Sequence, residues 1–138
     1  MTAVRLSFLP LALVCAALGT YLAVNSREEA RLERASAHLT AGRHARALAE
    51  LDGLDADAGR AARLRGSAYF GSGRLRPAVA ALREAARRDP NNWLVQRDYA
   101  IVLLRFGDRR RARERMRIAR TLNPRMPLPA GFVPDERR

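Results

Sequence analysis

Apolar residues are grouped in two ways along this chain, and each grouping predicts a different kind of helix. From Leu6 to Val24 no residue is charged, and a helix needs roughly 20 such residues to cross the hydrocarbon core of a bilayer. Beyond Ser26 the apolar residues recur at helical spacing between charged ones, which predicts amphipathic helices that each bury one stripe. The pattern therefore predicts an all-α protein with one apolar helix at its N-terminus.

Glycine and proline residues divide the amphipathic part into pairs of helices. Ser26 and Glu29 have the spacing of a capping box that opens the first of these helices. The predicted helices cover about 26–40, 45–51, 60–71, 76–88, 93–105 and 108–122. Turns are expected at Gly42, Gly73 and Gly107, and Asp108 is expected to cap the last helix.

Small residues and prolines recur at one fixed offset in the second half of the chain. Gly73, Ala78, Ala85 and Pro90 reappear as Gly107, Ala112, Ala119 and Pro124, each 34 residues later. A shared period of this length is typical of a repeat array. Such an array buries the apolar stripe of each unit against its neighbours, which suits a chain of 138 residues.

These positions resemble the signature of the tetratricopeptide repeat (TPR) family. In a unit at about 59–92 the matching residues are Gly66, Tyr69, Ala78, Leu82, Ala85 and Pro90. In a unit at about 93–126 they are Ala100, Leu103, Ala112, Met116, Ala119 and Pro124. A shorter unit at about 28–58 fits at Ala35, Gly42, Ala47 and Leu51. The resemblance implies a right-handed α-solenoid of about three helix-turn-helix units over 26–126, followed by a Pro-rich tail at 127–138.

The apolar run is interpreted as an N-terminal transmembrane anchor within residues 1–25 that crosses the membrane through residues 6–24. A cleaved signal peptide remains open, because Ala17-Leu18-Gly19 is a passable small-x-small site. With the anchor, the protein would be a bacterial-type single-pass protein of the cell membrane. Nearby arginines favour a cytoplasmic repeat domain, but a short N-tail before an apolar run is typical of a signal anchor, so the extracytoplasmic side is slightly preferred.

The composition is strongly basic, with 26 basic residues, all of them Arg, against 14 acidic ones. The formal net charge of +12 should attract acidic proteins, anionic lipid or nucleic acid. The last helix carries a basic patch formed by Arg109, Arg110, Arg113, Arg117 and Arg120. An ordinary solvated face is the alternative interpretation of this patch. Nucleic acid is disfavoured because few aromatic residues stand between the arginines.

No group of residues predicts catalysis, a cofactor or a metal site. Gly42 separates His38 from His44, and Asp55-x-Asp57-x-Gly59 departs from a calcium loop at three of its positions. A phosphate-binding loop would need a Lys, and the chain has none. Cys15 is the only cysteine, so no disulfide can form within the chain. We therefore expect a non-enzymatic protein.

The TPR resemblance also implies a concave groove lined by the first helix of each unit. The family's ligand-facing positions fall here on Arg60, Arg63, Ser67, Phe70, Leu94, Arg97, Ile101, Leu104 and Arg105. Guanidinium groups pair bidentately with carboxylates, so the expected ligand is a protein or peptide that can carry acidic groups. The protein would then be a membrane-tethered scaffold. The alternative is a basic helical domain that binds anionic lipid or nucleic acid through its last helix.

Overall fold

The computed structural model describes residues 8–54, 58–129 and 131–132. Within these ranges the chain forms six helices and no strand, which confirms the predicted all-α class. The helices are α1 (Phe8–Thr40), α2 (His44–Leu51), α3 (Ala58–Gly71), α4 (Leu75–Arg88), α5 (Trp93–Phe106) and α6 (Arg109–Leu122). Most predicted bounds therefore lie within two residues of the observed ones.

Helix α1 continues without interruption through Asn25 and Ser26, so the prediction of a new helix at Ser26 is wrong. The Ser26 hydroxyl donates to the Ala23 carbonyl at 3.0 Å, within the helix, instead of capping a new one. A capping box needs the chain to enter from a non-helical conformation. No Pro or Gly lies between Thr20 and Thr40 to break the helix, and it simply propagates.

In the part of the chain that the structure describes, no helix is sufficiently long and apolar to cross a membrane. The prediction of a single-pass cell-membrane protein with an extracytoplasmic repeat domain is contradicted by this finding and is wrong. The apolar residues of α1 share their helix with charged residues from Arg27 onward, and Gly19, Thr20 and Tyr21 interrupt the most apolar part. Residues 6 and 7 of the predicted span lie outside the described ranges, and the domain division near residue 25 stays a prediction.

The same turn closes all three helix pairs. Gly42, Gly73 and Gly107 have φ angles of 68°, 76° and 97°, in the left-handed region that glycine adopts most easily. In each turn the residue after the glycine donates its N–H to the carbonyl five positions earlier, at 2.8 to 2.9 Å. This is the hydrogen bonding of a Schellman motif. The first pair thus closes as the other two do, although its sequence matches the repeat less well.

The helices pack in chain order, and the odd-numbered helices also contact one another. The pairs α1–α2, α3–α4 and α5–α6 are joined by contacts of α2 with α3 and of α4 with α5. In addition α1 contacts α3, and α3 contacts α5, whereas α2, α4 and α6 do not contact one another. The odd-numbered helices therefore form a continuous layer that presents one side of the array.

Two apolar clusters hold this arrangement together. Buried residues of α1, α2 and α3 form the smaller cluster together with Leu54, and residues of α3 to α6 form the larger. The repeated alanines Ala78, Ala112, Ala85 and Ala119 are all 0% exposed. Their small side chains let the two helices of each pair approach closely.

The C-terminal tail packs onto the last helix pair. Met126 and Phe132 belong to the larger cluster, and Leu128 packs against it. Gly131 lies so near α5 that a Cβ there would stand 3.0 Å from Leu104 Cδ2. The described residues of the tail therefore cover the last helix pair.

Candidate functional site

The nine predicted groove residues lie on α3 and α5, but the structure separates them into two groups. The first group lies nearer the N-terminal ends of the two helices and comprises Arg60, Arg63, Ser67, Leu94 and Arg97. The second group lies at their C-terminal ends and comprises Phe70, Ile101, Leu104 and Arg105. The two groups differ in whether their charges are already paired.

Arg63 and Arg97 of the first group share Asp98, an acidic residue that the sequence analysis missed. Arg63 Nη1 lies 3.1 Å from Asp98 Oδ2, and Arg97 Nη2 lies 2.8 Å from Asp98 Oδ1. The Arg97 guanidinium also stacks over the Trp93 ring, 5.2 Å from its centroid. Asp98 follows Arg97 directly in the sequence, so an ion pair between these two neighbours could have been expected from the sequence alone. Neither guanidinium is therefore free to bind an external carboxylate without giving up Asp98.

The remaining residues of the first group are also engaged within the protein. Arg60 forms an ion pair with Glu29 and so connects α3 to α1. The Ser67 hydroxyl donates to the Arg63 carbonyl at 3.2 Å. The Leu94 amide donates to Asn92 Oδ1 at 3.1 Å, which caps the start of α5. The Arg60 pair stabilises the packing of α3 against α1, and the other two contacts are local to α3 and α5.

All four residues of the second group line one open cleft, which we call the groove cleft. It has a volume of about 840 Å³ and is lined by Phe70, Gly71, Gly73, Leu75, Ile101, Leu104, Arg105 and Arg109. Phe70, Ile101 and Leu104 are partly buried and pack against the larger apolar cluster. Arg105 and Arg109 are exposed and form no ion pair with any described residue. The cleft thus combines an apolar floor with two available guanidiniums.

The turns explain why these residues meet. Gly73 reverses the chain so that Leu75 of α4 lies beside Phe70 at the end of α3, and Gly107 does the same for Arg109 of α6 beside Arg105. The groove cleft is therefore built where two successive turns lie side by side. Sequence periodicity located the turns, but it did not predict that residues of the second helices would contribute.

Four of the five basic-patch residues line a second cleft, which we call the tail cleft. It has a volume of about 920 Å³ and is lined by Leu104, Arg109, Arg113, Met116, Arg117, Arg120, Thr121, Pro124, Leu128, Gly131 and Phe132. Arg110 of the predicted patch is exposed and lies outside it. Leu104 and Arg109 belong to both clefts, so the two are adjacent.

The acidic residues of α6 do not neutralise this row of arginines. Asp108 accepts hydrogen bonds from the Arg111 amide at 3.0 Å and from Arg111 Nε at 2.6 Å. These bonds, the backbone one first, hold the pKa of Asp108 below its usual value. Asp108 is thus the N-cap that the sequence predicts, and it is committed to Arg111. Glu114, the other acid of the helix, lines neither cleft.

The two histidines lie near the first turn and are half-buried. The Nδ1 atoms of His38 and His44 find no hydrogen-bond partner among the described residues, and the His44 ring packs against Gly71 of α3. Within the described ranges no three His, Cys, Asp or Glu side chains are grouped closely enough to hold a metal ion. The predictions that the protein is not an enzyme and needs no cofactor stay predictions.

The chain matches no family model and no curated protein. The TPR resemblance therefore rests on the residue pattern alone.

Proposed function

We propose that this protein is a non-enzymatic scaffold that binds a protein or peptide partner through the groove cleft. Its three helix pairs would stack as a right-handed, TPR-like α-solenoid, with α1, α3 and α5 on the side that faces the partner. Support for the stacking comes from the shared turn at three glycines and from the contacts among the odd-numbered helices. The proposal does not require a membrane.

One observation carries the proposal. Phe70 from α3 and Ile101, Leu104 and Arg105 from α5 are distant in the sequence, yet they line one open cleft. A pocket of this size with an apolar floor and a few convergent polar groups is the usual form of a binding site. Arg105 and Arg109 stand at its edge without an acidic partner among the described residues.

The chemistry of the cleft indicates the chemistry of the partner. A bulky apolar side chain would bury itself against Phe70, Ile101 and Leu104, and each buried methylene would contribute about 0.8 kcal/mol. A carboxylate beside it would pair with Arg105 or Arg109 through charge-assisted hydrogen bonds. The partner segment we expect is therefore apolar and acidic together, which also agrees with the net charge of +12.

Binding of anionic lipid or nucleic acid through the basic patch is the second candidate function. It is favoured by the five exposed arginines of the patch, none of which pairs with a described acid. The dependence on salt separates the two candidates. Phosphate binding by several arginines falls steeply with ionic strength, whereas an apolar contact in the groove cleft should retain part of its affinity.

The test is a selection of random peptides on the purified protein, followed by affinity measurements by fluorescence anisotropy. We expect enriched peptides that carry a bulky apolar residue next to an acidic one. Arg105→Glu should weaken their binding by about tenfold or more, because it replaces an attraction with a repulsion. Arg46→Glu is the matched control. Arg46 is exposed on α2, which contacts neither α5 nor α6.

A second variant, Ile101→Ala, tests the apolar floor without changing charge. It should also lower affinity, and its helicity should be checked by circular dichroism, since Ile101 is partly buried. Peptides that bind wild type, Arg105→Glu and Ile101→Ala equally well would show that the groove cleft is not the site. Peptide binding that vanishes completely at moderate salt would contradict the apolar contact in the groove cleft.

A further inference from the structure

We propose that the tail cleft is a second binding site, which takes an extended peptide with alternating acidic and apolar side chains. The site lies between α6 and the C-terminal tail, and it is distinct from the groove cleft apart from the shared Leu104 and Arg109. Its occupant is inferred from three features: the row of arginines, the apolar wall of the same cleft, and the spacing between the arginines.

The first feature is the row of arginines on α6. Arg109, Arg113 and Arg117 are four residues apart and Arg120 follows after three more, so all four lie on one side of the helix. Each is exposed, and none forms an ion pair with a described residue. By contrast, Arg111 is held by Asp108 and Arg115 lies over the Tyr99 ring. The row is therefore charged and available, whereas Arg111 and Arg115 are engaged within the protein.

The second feature is the apolar wall, which comes mainly from the tail. Pro124, Leu128 and Phe132 line the cleft from the tail, and Met116 lines it from α6. Met126 and Phe132 are buried to 6% and 9% exposure, which fixes the tail against α5 and α6. The cleft thus has a cationic side and an apolar side.

The third feature is spacing. Four helical residues advance about 6 Å along the helix axis, and three advance about 4.5 Å. In an extended peptide every second side chain lies on the same side, about 6.6 Å apart, and the intervening ones point the opposite way. A strand in the tail cleft would therefore place acidic residues against the arginines and apolar residues against Leu128 and its neighbours. Bidentate pairing of guanidinium with carboxylate suits such a row.

A single-stranded nucleic acid fits the same cleft less well. Its phosphates could meet the arginines, but its bases would face the tail, where stacking would require exposed aromatic rings. Among the described residues of this cleft Phe132 is the one aromatic side chain, and it is 9% exposed. The other apolar residues of the cleft are not aromatic, which favours apolar amino-acid side chains.

The experiment uses the full chain and a labelled peptide in which Glu and Leu alternate. A peptide of the same composition with all Glu residues in one block is the matched ligand control. We expect the alternating peptide to bind about tenfold more tightly. Only this peptide can pair its Glu residues with the arginines and bury its Leu residues against the apolar wall at the same time. Arg113→Glu with Arg117→Glu should reduce its affinity by about tenfold or more, and Arg46→Glu should change it by less than about twofold.

Two further variants keep the test decisive. The single variant Arg117→Gln covers the case in which the double variant misfolds. It removes one charge from an exposed site and should still weaken the binding of the alternating peptide. Leu128→Ser should lower the affinity for the alternating peptide. It should not lower the affinity for a short oligothymidylate, which would contact the arginines alone. Equal affinity for the two peptides, or an oligothymidylate that binds more tightly than both, would overturn the proposal.

The two clefts can be tested separately. Arg113, Arg117 and Leu128 line only the tail cleft, and Phe70, Ile101 and Arg105 line only the groove cleft. If Arg105→Glu abolishes binding of the alternating peptide and Arg117→Gln does not, the tail-cleft site is contradicted. The groove-cleft function would still stand. The reverse pattern would support the tail-cleft site irrespective of the groove-cleft function.

Discussion

Gly66 of α3 lies directly against Leu82 of α4, so that a Cβ at Gly66 would stand 2.5 Å from Leu82 Cγ. Both residues are buried, and Leu82 is 0% exposed. One repeat later the same two positions hold Ala100 and Met116, which are also buried. Met is unbranched and adapts to irregular space, so it can tolerate the methyl group that Leu82 excludes. Equivalent positions of the two units are therefore filled by different pairs of side chains.

Gly66→Ala should therefore destabilise the protein even though Ala favours helices. Crowding a packed core costs about 1 to 3 kcal/mol, and the helix propensity of Ala returns up to about 1 kcal/mol. The net loss should be about 1 kcal/mol in the free energy of unfolding, measured by urea denaturation followed by circular dichroism. The double variant Gly66→Ala with Leu82→Met copies the last unit and should recover part of this loss. If it is no more stable than Gly66→Ala alone, the contact with Leu82 is not the cause.

Gly107→Ala should destabilise the turn between α5 and α6. Its φ of 97° is a conformation that a residue with a Cβ rarely adopts, and the strain should cost about 1 to 2 kcal/mol. Gly59→Ala is the control, since its added Cβ would only make an ordinary contact of 3.4 Å with Asp89 Cβ. Thermal unfolding should show a lower Tm for Gly107→Ala and an unchanged or higher one for Gly59→Ala. Equal losses in both would contradict a conformational cause.

Asp98→Asn should make the groove side of the array more attractive to acidic peptides. Asp98 is the acid that engages Arg63 and Arg97, and its side chain is 16% exposed. Without its charge both guanidiniums become available, at a cost to stability of about 1 kcal/mol. Affinity for the selected acidic peptides should rise. Glu84→Gln changes the net charge equally from α4, outside both clefts, and should leave the affinity unchanged.

The pKa of Glu84 should lie far below that of a glutamate in an unfolded peptide. Hydrogen bonds from the Arg87 guanidinium first, and then from Arg88, lower the pKa of Glu84 from 4.5 to about 2. Because the pKa is lower in the folded state, the stabilising contribution is complete above pH 4.5 and is lost as the pH falls towards 2. Carboxyl titration by NMR measures the pKa directly. The effect should shrink in high salt, because the pair is exposed, and a midpoint near 4.5 at low salt would refute it.

Sequence reasoning failed at Ser26 for a definable reason. The Ser26–Glu29 spacing is a local signal, but a helix starts only where the preceding residues are not already helical. Residues 20–25 contain no breaker, and α1 passes through. The apolar run likewise matched the length of a membrane span, while the helix that contains it also carries the charged residues that follow.

The sequence alone determined the features that depend on neighbouring residues. Gly73 and Gly107 produce the turns through their own φ angles. Asp108 caps α6 by accepting from the Arg111 amide, three residues away, and the repeated alanines are buried because helical spacing aligns them. The tertiary structure decided which arginines are available. Arg63 finds its acid 35 residues away in Asp98, whereas Arg113 and Arg117 find none among the described residues. Charge pairing depends on which helices pack together, and the distances between helices are set only when the whole array has folded.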